Sequence, residues 1–129
     1  PIFKYARLLG EKIDKYNTQV YLLNTGWTGG PYGIGHRMNL KYTRAMVTAA
    51  LDGHLDNVEW KRDPIFQVYI PESCPNVPKE LLTPENTWAD KNEYKIAANK
   101  LVKRFAENVK KFKGEMSDDI LNAGPKASE

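Results

Sequence analysis

The sequence predicts an α/β protein, mostly helical with a few strands. Apolar residues recur at helical spacing in three stretches, 2–16, 39–51 and 91–113. Two short β-prone runs, 19–24 and 65–70, lie between them. Residues 26–35 hold five of the nine glycines, so the first strand passes to the second helix through unusually pliable backbone.

In the first helix Ile2, Ala6, Leu9, Ile13 and Tyr16 form one apolar face. Pro1 suits a first turn, where a missing N–H costs little. Gln19-Val20-Tyr21-Leu22-Leu23-Asn24 is short and apolar and is expected to be a buried strand. After the glycines, Asn39 is the candidate N-cap of a helix whose Leu40, Thr43, Val47, Ala50 and Leu51 share a face. Gly53 is placed to end that helix.

Ile65 to Ile70 form the second expected strand, stopped by Pro71. The four prolines from Pro71 to Pro84 indicate an ordered loop, with a helical turn starting at Thr83-Pro84. Asp90 with Glu93 has the pattern of a capping box. Beyond it Tyr94, Ala98, Leu101, Phe105, Val109 and Phe112 mark the longest helix, to about Lys113. Ser117 is placed to cap a last short helix that ends at Gly124-Pro125.

A chain of 129 residues with 41% hydrophobic and 27% charged residues fits one folded unit rather than a disordered tail. No apolar run approaches the ~20 residues of a spanning helix, and the amphipathic N-terminus of mixed charge is unlike a signal peptide. The single cysteine, Cys74, excludes an internal disulfide framework and suits a reducing compartment. The net charge of +3 is too mild to indicate nucleic acid by itself. The chain opens on Pro1, as expected of a processed chain or of a piece of a longer one.

The Gly-rich stretch carries the most chemistry. A strand, pliable backbone and a helix start together form an arrangement that presents N–H groups to anions. Arg37 adds a guanidinium able to pair with phosphate or stack on a base. The stretch lacks the Gly-Lys-Ser/Thr ending of a Walker A loop and the third glycine of a dinucleotide fingerprint. The residues themselves leave a ligand-binding loop and a structural loop both open. Arg37, Lys41 and Arg44 have the spacing of one helical side, which a solvated basic face explains more simply than a binding site.

His36 and His54 are the only histidines and Cys74 is isolated, so no metal site is expected from this chain alone. No serine or cysteine sits in a nucleophile turn, and Cys74 reads as an incidental loop thiol. Trp60 and Trp88 read as packing anchors, whereas Trp27 lies inside the Gly-rich stretch. Residues 91–113 carry eight Lys or Arg and two Glu, a local charge of +6 against −3 for the rest. Such a helix has two readings: a solvated surface helix, or a basic interaction module that holds an acidic partner.

The run from Tyr21 to Ala45, YLLNTGWTGGPYGIGHRMNLKYTRA, resembles ATP-dependent phosphoenolpyruvate carboxykinase. Further landmarks follow in order: Ala50 to Gly53, Phe66 to Pro71, Cys74 to Pro78, Pro84 to Trp88, and Ala123 to Pro125. The resemblance covers nearly all of this chain and only the last quarter or so of a family member. It implies a segment, residues 1–129, of the family's C-terminal nucleotide-binding domain. The family decarboxylates oxaloacetate and phosphorylates the enolate with ATP, yielding phosphoenolpyruvate, ADP and carbon dioxide in gluconeogenesis. By resemblance, Arg37, Met38 and Thr43 contact ATP.

His36 stands where lysine is usual, and Met38 where isoleucine is usual. The family's phosphate loop, its divalent-metal ligands for Mg or Mn, and its oxaloacetate-binding Arg lie upstream of the matched segment. The resemblance therefore implies no catalytic residue in this chain and no activity in isolation. It further implies a cytoplasmic protein whose partners are oxaloacetate, ATP and the remainder of the same enzyme, with neither nucleic acid nor membrane among them.

Overall fold

The computed structural model describes residues 2–112 and 114–127. Two expectations, Pro1 in the first turn and Lys113 at the end of the long helix, lie outside the described residues.

Helix α1 (Ile2–Tyr16) ends where its sequence permits a reversal. Asn17 takes a left-handed φ of 49°, and the Thr18 N–H reaches back to the Ile13 carbonyl at 3.2 Å. That is a Schellman ending, with asparagine doing what glycine more often does. Along the helix Tyr5, Leu8, Leu9 and Tyr16 remain exposed. Of the expected apolar face, Ala6, Leu9 and Tyr16 are exposed and Ile13 is half-buried, while the Ile2 side chain lies outside the described residues.

Residues 19–24 lie outside any strand, contrary to the expected buried strand. Val20, Tyr21, Leu22 and Leu23 are all exposed. A strand is completed by neighbours that take its backbone hydrogen bonds, and among the described residues none does so here. Instead the first ribbon is built by the Gly-rich stretch: β1 (Trp27–Thr28) pairs antiparallel with β2 (His36–Arg37).

Helix α2 (Leu40–Leu51) starts at Asn39, whose side-chain oxygen accepts from the Lys41 N–H at 3.0 Å. It ends with Gly53 at φ 72° and the His54 N–H bonded to the Ala49 carbonyl at 2.9 Å. Both caps were legible as residue types.

A second ribbon follows, with β3 (Trp60–Arg62) antiparallel to β4 (Tyr69–Pro71). The expected strand 65–70 is therefore shortened at its start. The Asp63 carboxylate accepts from the Ile65 N–H at 2.9 Å and the Phe66 N–H at 2.6 Å, and the Gln67 N–H bonds the Asp63 carbonyl at 3.0 Å. An Asp-Pro start thus folds Ile65 and Phe66 into a turn before pairing begins. The loop 71–84 contains the short helix α3 (Lys79–Leu82), and a 3-10 turn runs over Pro84–Thr87.

Helix α4 (Lys91–Val109) is capped by Asp90, which accepts from the Asn92 N–H at 2.7 Å, and continues into a 3-10 turn to Phe112. Its buried stripe is Tyr94, Ala98 and Val102, packed with Ile65, Phe66 and Trp88. The expected face is corrected here: Leu101 and Phe105 are exposed. The i, i+4, i+8 line under Trp88 and Ile65 wins over the more apolar line beside it. Helix α5 (Asp118–Asn122) has Ser117 at the N-cap position without a side-chain bond. The tail beyond it is tied down by the Lys126 N–H on the Ile65 carbonyl at 2.8 Å.

A second apolar cluster joins Ala49, Leu55 and Cys74 with Met46, Val58, Val77 and Leu82. Cys74 is thus a core side chain rather than an incidental loop thiol. The two clusters are small for the length. A self-contained 14.7 kDa fold exposes about 6,900 Å², whereas this chain exposes 10071 Å². Among the described residues no helix is long and apolar enough to cross a membrane.

Candidate functional site

The site begins with how the Gly-rich stretch is held. The Asn24 side chain accepts from the Gly26 N–H at 2.9 Å and donates to the Trp27 carbonyl at 3.2 Å, which brackets the entry to β1. The Met38 N–H donates to the Gly26 carbonyl at 2.7 Å, so the ribbon continues one pair beyond β2. With that pair hydrogen-bonded, the adjoining pair Trp27 and Arg37 is of the non-hydrogen-bonded kind. Side chains at such a pair stand closest together, on the same face.

The tip of the ribbon turns at Pro31, whose carbonyl accepts from the Ile34 and Gly35 N–H groups at 3.1 and 2.9 Å. Gly35 is required by close approach: a Cβ there would lie 2.5 Å from the Gly30 carbonyl oxygen and 2.7 Å from that of Thr28. Trp27 and Tyr32 pack edge to face with ring centroids 5.4 Å apart, although both remain exposed.

The ribbon is also pinned from a distance. The Thr87 hydroxyl donates to the Pro84 carbonyl at 2.7 Å and accepts from the Gly29 N–H at 3.2 Å. The Thr28 hydroxyl lies 3.4 Å from it. Sequence reasoning assigned Thr87 no role. The available signal was its place in the Pro84 to Trp88 landmark beside a helical turn.

Arg37 is exposed on β2, Met38 is buried, and Thr43 is half-buried in the first turns of α2. All three therefore sit along one continuous path, from ribbon through cap to helix. Arg37 forms no ion pair among the described residues, and the Thr43 hydroxyl bonds to none of them. The expected single basic side of Arg37, Lys41 and Arg44 is corrected: Arg37 belongs to the ribbon, and only the other two are helical. Lys41 lies 4.7 Å from the centre of the Tyr42 ring.

Burial pushes the Cys74 thiol above its ordinary pKa, so it stays protonated and unreactive near neutral pH. Tyr94 is also raised, first by burial and then by the carboxylates of Asp63 and Glu85. Neither environment prepares a nucleophile. Among the described residues no group of three or more His, Cys, Asp or Glu is placed to hold a metal ion.

Residues 1–80 match the family model for phosphoenolpyruvate carboxykinase. The chain is 61% identical, over 98% of its length, to the phosphoenolpyruvate carboxykinase (ATP) of Caldanaerobacter subterraneus subsp. tengcongensis, and covers 24% of that protein. It is 62% identical over 95% of its length to that of Alkaliphilus oremlandii, covering 23%. With that of Thermus thermophilus it shares 52% over 95%, again covering 23%. The chain thus spans about a quarter of the length of the curated relatives it matches. The rival reading of residues 91–113 as a module for acidic partners finds no support among these relatives. A family model that takes in the whole path from α1 through Arg37 to Thr43, with identity above one half across nearly all of the chain, places the chain in the ATP-dependent phosphoenolpyruvate carboxykinase family.

Proposed function

We propose that this chain lines the nucleotide side of the active site of an ATP-dependent phosphoenolpyruvate carboxykinase, within the C-terminal nucleotide-binding domain of that enzyme. The whole enzyme would convert oxaloacetate and ATP to phosphoenolpyruvate, ADP and carbon dioxide. The observation that carries the reading is the pinned ribbon, which holds an exposed Arg37 guanidinium, without an ion pair among the described residues, two residues before the Asn39 cap.

The roles follow from what each group has left to offer. Arg37 lays a planar cation against the face of adenine. Met38 has already used its N–H on Gly26, so its carbonyl is the polar group that remains for the base. The Thr43 hydroxyl can both donate and accept. Phosphoryl transfer also needs cradled phosphates, metal ions and in-line geometry. The described residues do not fit a divalent metal, so Mg or Mn would be held by sequence outside this chain. Oxaloacetate recognition is assigned there as well.

In the full-length enzyme, Arg37→Ala should raise the KM for ATP about tenfold, equivalent to 1.4 kcal/mol, and leave that for oxaloacetate within about twofold. Equal effects on both substrates would remove Arg37 from the nucleotide site.

A further inference from the structure

The three tryptophans are placed differently. Trp88 packs into the apolar cluster around Tyr94, with ring centroids 5.7 Å apart, and Trp60 stacks on Tyr21 at 6.1 Å. Among the described residues Trp27 belongs to neither apolar cluster, and it is 46% exposed. Its ring partner is Tyr32, at the ribbon tip, which is itself 86% exposed. Burial is the usual use of so large an apolar side chain, so an indole held in solvent on the ribbon calls for another account.

The two faces of the ribbon determine where that indole points. Side chains alternate from one face to the other along a strand. Thr28 turns toward the 3-10 turn, where its hydroxyl lies 3.4 Å from that of Thr87, and its cross-strand partner is His36. Trp27 and Arg37 therefore share the opposite face, away from the pin. At a non-hydrogen-bonded pair the Cβ atoms stand about 4.5–5.5 Å apart, a spacing that one purine ring system can bridge.

We propose that Trp27 is a further contact to the base of ATP, its indole and the Arg37 guanidinium together forming the surface on which adenine lies. The proposal rests on the reading of Arg37 as a nucleotide residue. Indole and guanidinium are both flat groups that attract an aromatic face, and of ATP and oxaloacetate only ATP has one. The same path leads on from Arg37 to Met38 and Thr43, whose polar groups suit the edge of that base. The platform is also set before any ligand arrives. Asn24 holds the Trp27 carbonyl at 3.2 Å, and Tyr32 meets the indole edge to face at 5.4 Å, so less ordering remains for binding to impose.

Steady-state kinetics on the full-length enzyme test this, with Trp27→Ala, Trp27→Phe and Arg37→Ala measured in parallel. Trp27→Ala should raise the KM for ATP about tenfold, leaving kcat and the KM for oxaloacetate within about twofold. Trp27→Phe keeps a flat ring and should stay within about threefold of wild type. In wild-type enzyme labelled with fluorotryptophan, the fluorine resonance missing from Trp27→Phe should shift on saturation with ATP and stay in place with oxaloacetate. A KM for ATP unchanged in Trp27→Ala, or raised equally with that for oxaloacetate, would overturn the proposal. So would a Trp27 resonance that ATP leaves unmoved, a result that needs no folded Trp27→Ala. If Arg37→Ala alone raises the KM for ATP, Trp27 leaves the site and the nucleotide reading of Arg37 stands. If neither variant raises it, both fall.

Discussion

The backbone N–H of Gly29 donates to the Thr87 hydroxyl at 3.2 Å, joining positions 58 residues apart. The contact fastens the Gly-rich ribbon to the 3-10 turn that precedes α4. Thr87 can accept there because its own proton goes to the Pro84 carbonyl.

Thr87→Val removes that acceptor and leaves a part-buried N–H unsatisfied, which costs about 1–3 kcal/mol. The full-length variant should melt at a lower temperature and show a raised KM for ATP, while Thr87→Ser should behave as wild type. Thermal unfolding and steady-state kinetics on both variants check this. A Thr87→Val enzyme with unchanged ATP dependence would show that the pin does not position the site.

Gly35→Ala should cost about 1–3 kcal/mol, since the added carbon meets two backbone oxygens that cannot swing away. Gly10 provides the contrast. Nothing lies within 4 Å of a Cβ placed there, and it stands inside α1, so Gly10→Ala should stabilise by up to about 1 kcal/mol. Opposite shifts in unfolding midpoint are the expected result.

Cys74 should react slowly with thiol reagents in the folded chain and rapidly once denatured, because burial disfavours its thiolate. The linkage has a definite sign. A raised folded pKa contributes stability below the unfolded thiol value, about 8.5. That contribution is lost as pH rises through the folded value, because the unfolded state releases its proton first. Tyr94 acts in the same direction at higher pH. Stability measured from pH 8 to 11 should fall, and Cys74→Ala should flatten the lower part of that fall.

The 129-residue chain alone should consume no ATP in the presence of oxaloacetate and Mg or Mn. A coupled assay for ADP or phosphoenolpyruvate measures this. Turnover by the chain would mean that the sequence outside these 129 residues is dispensable for catalysis.

The parts of the fold legible in sequence are those decided locally. Asn39, Gly53 and Asp90 act within a turn of their own helix, so residue type and spacing sufficed. Residues 19–24 have the composition of a strand, but a strand depends on a partner that composition cannot supply. Ile65 and Phe66 have the apolar character of a strand, yet the Asp63-Pro64 turn before them decides their backbone. The buried line of α4 was misplaced by one step, because the position of Trp88 and Ile65 decided which of two apolar lines is covered. In the candidate site, Arg37, Met38 and Thr43 came from a family resemblance rather than from periodicity. The hold of Thr87 on the ribbon is a contact between distant segments, and its place in the Pro84 to Trp88 landmark does not say which segment it holds.

The central claim is that this chain carries the nucleotide contacts, and equilibrium titration of ATP into the full-length enzyme tests it most directly. Wild type, Arg37→Ala and Arg37→Lys should be compared without oxaloacetate. Arg37→Ala should weaken ATP binding about tenfold in Kd, with Arg37→Lys between the two because it keeps charge and loses the plane. An Arg37→Ala enzyme that binds ATP as tightly as wild type would contradict it.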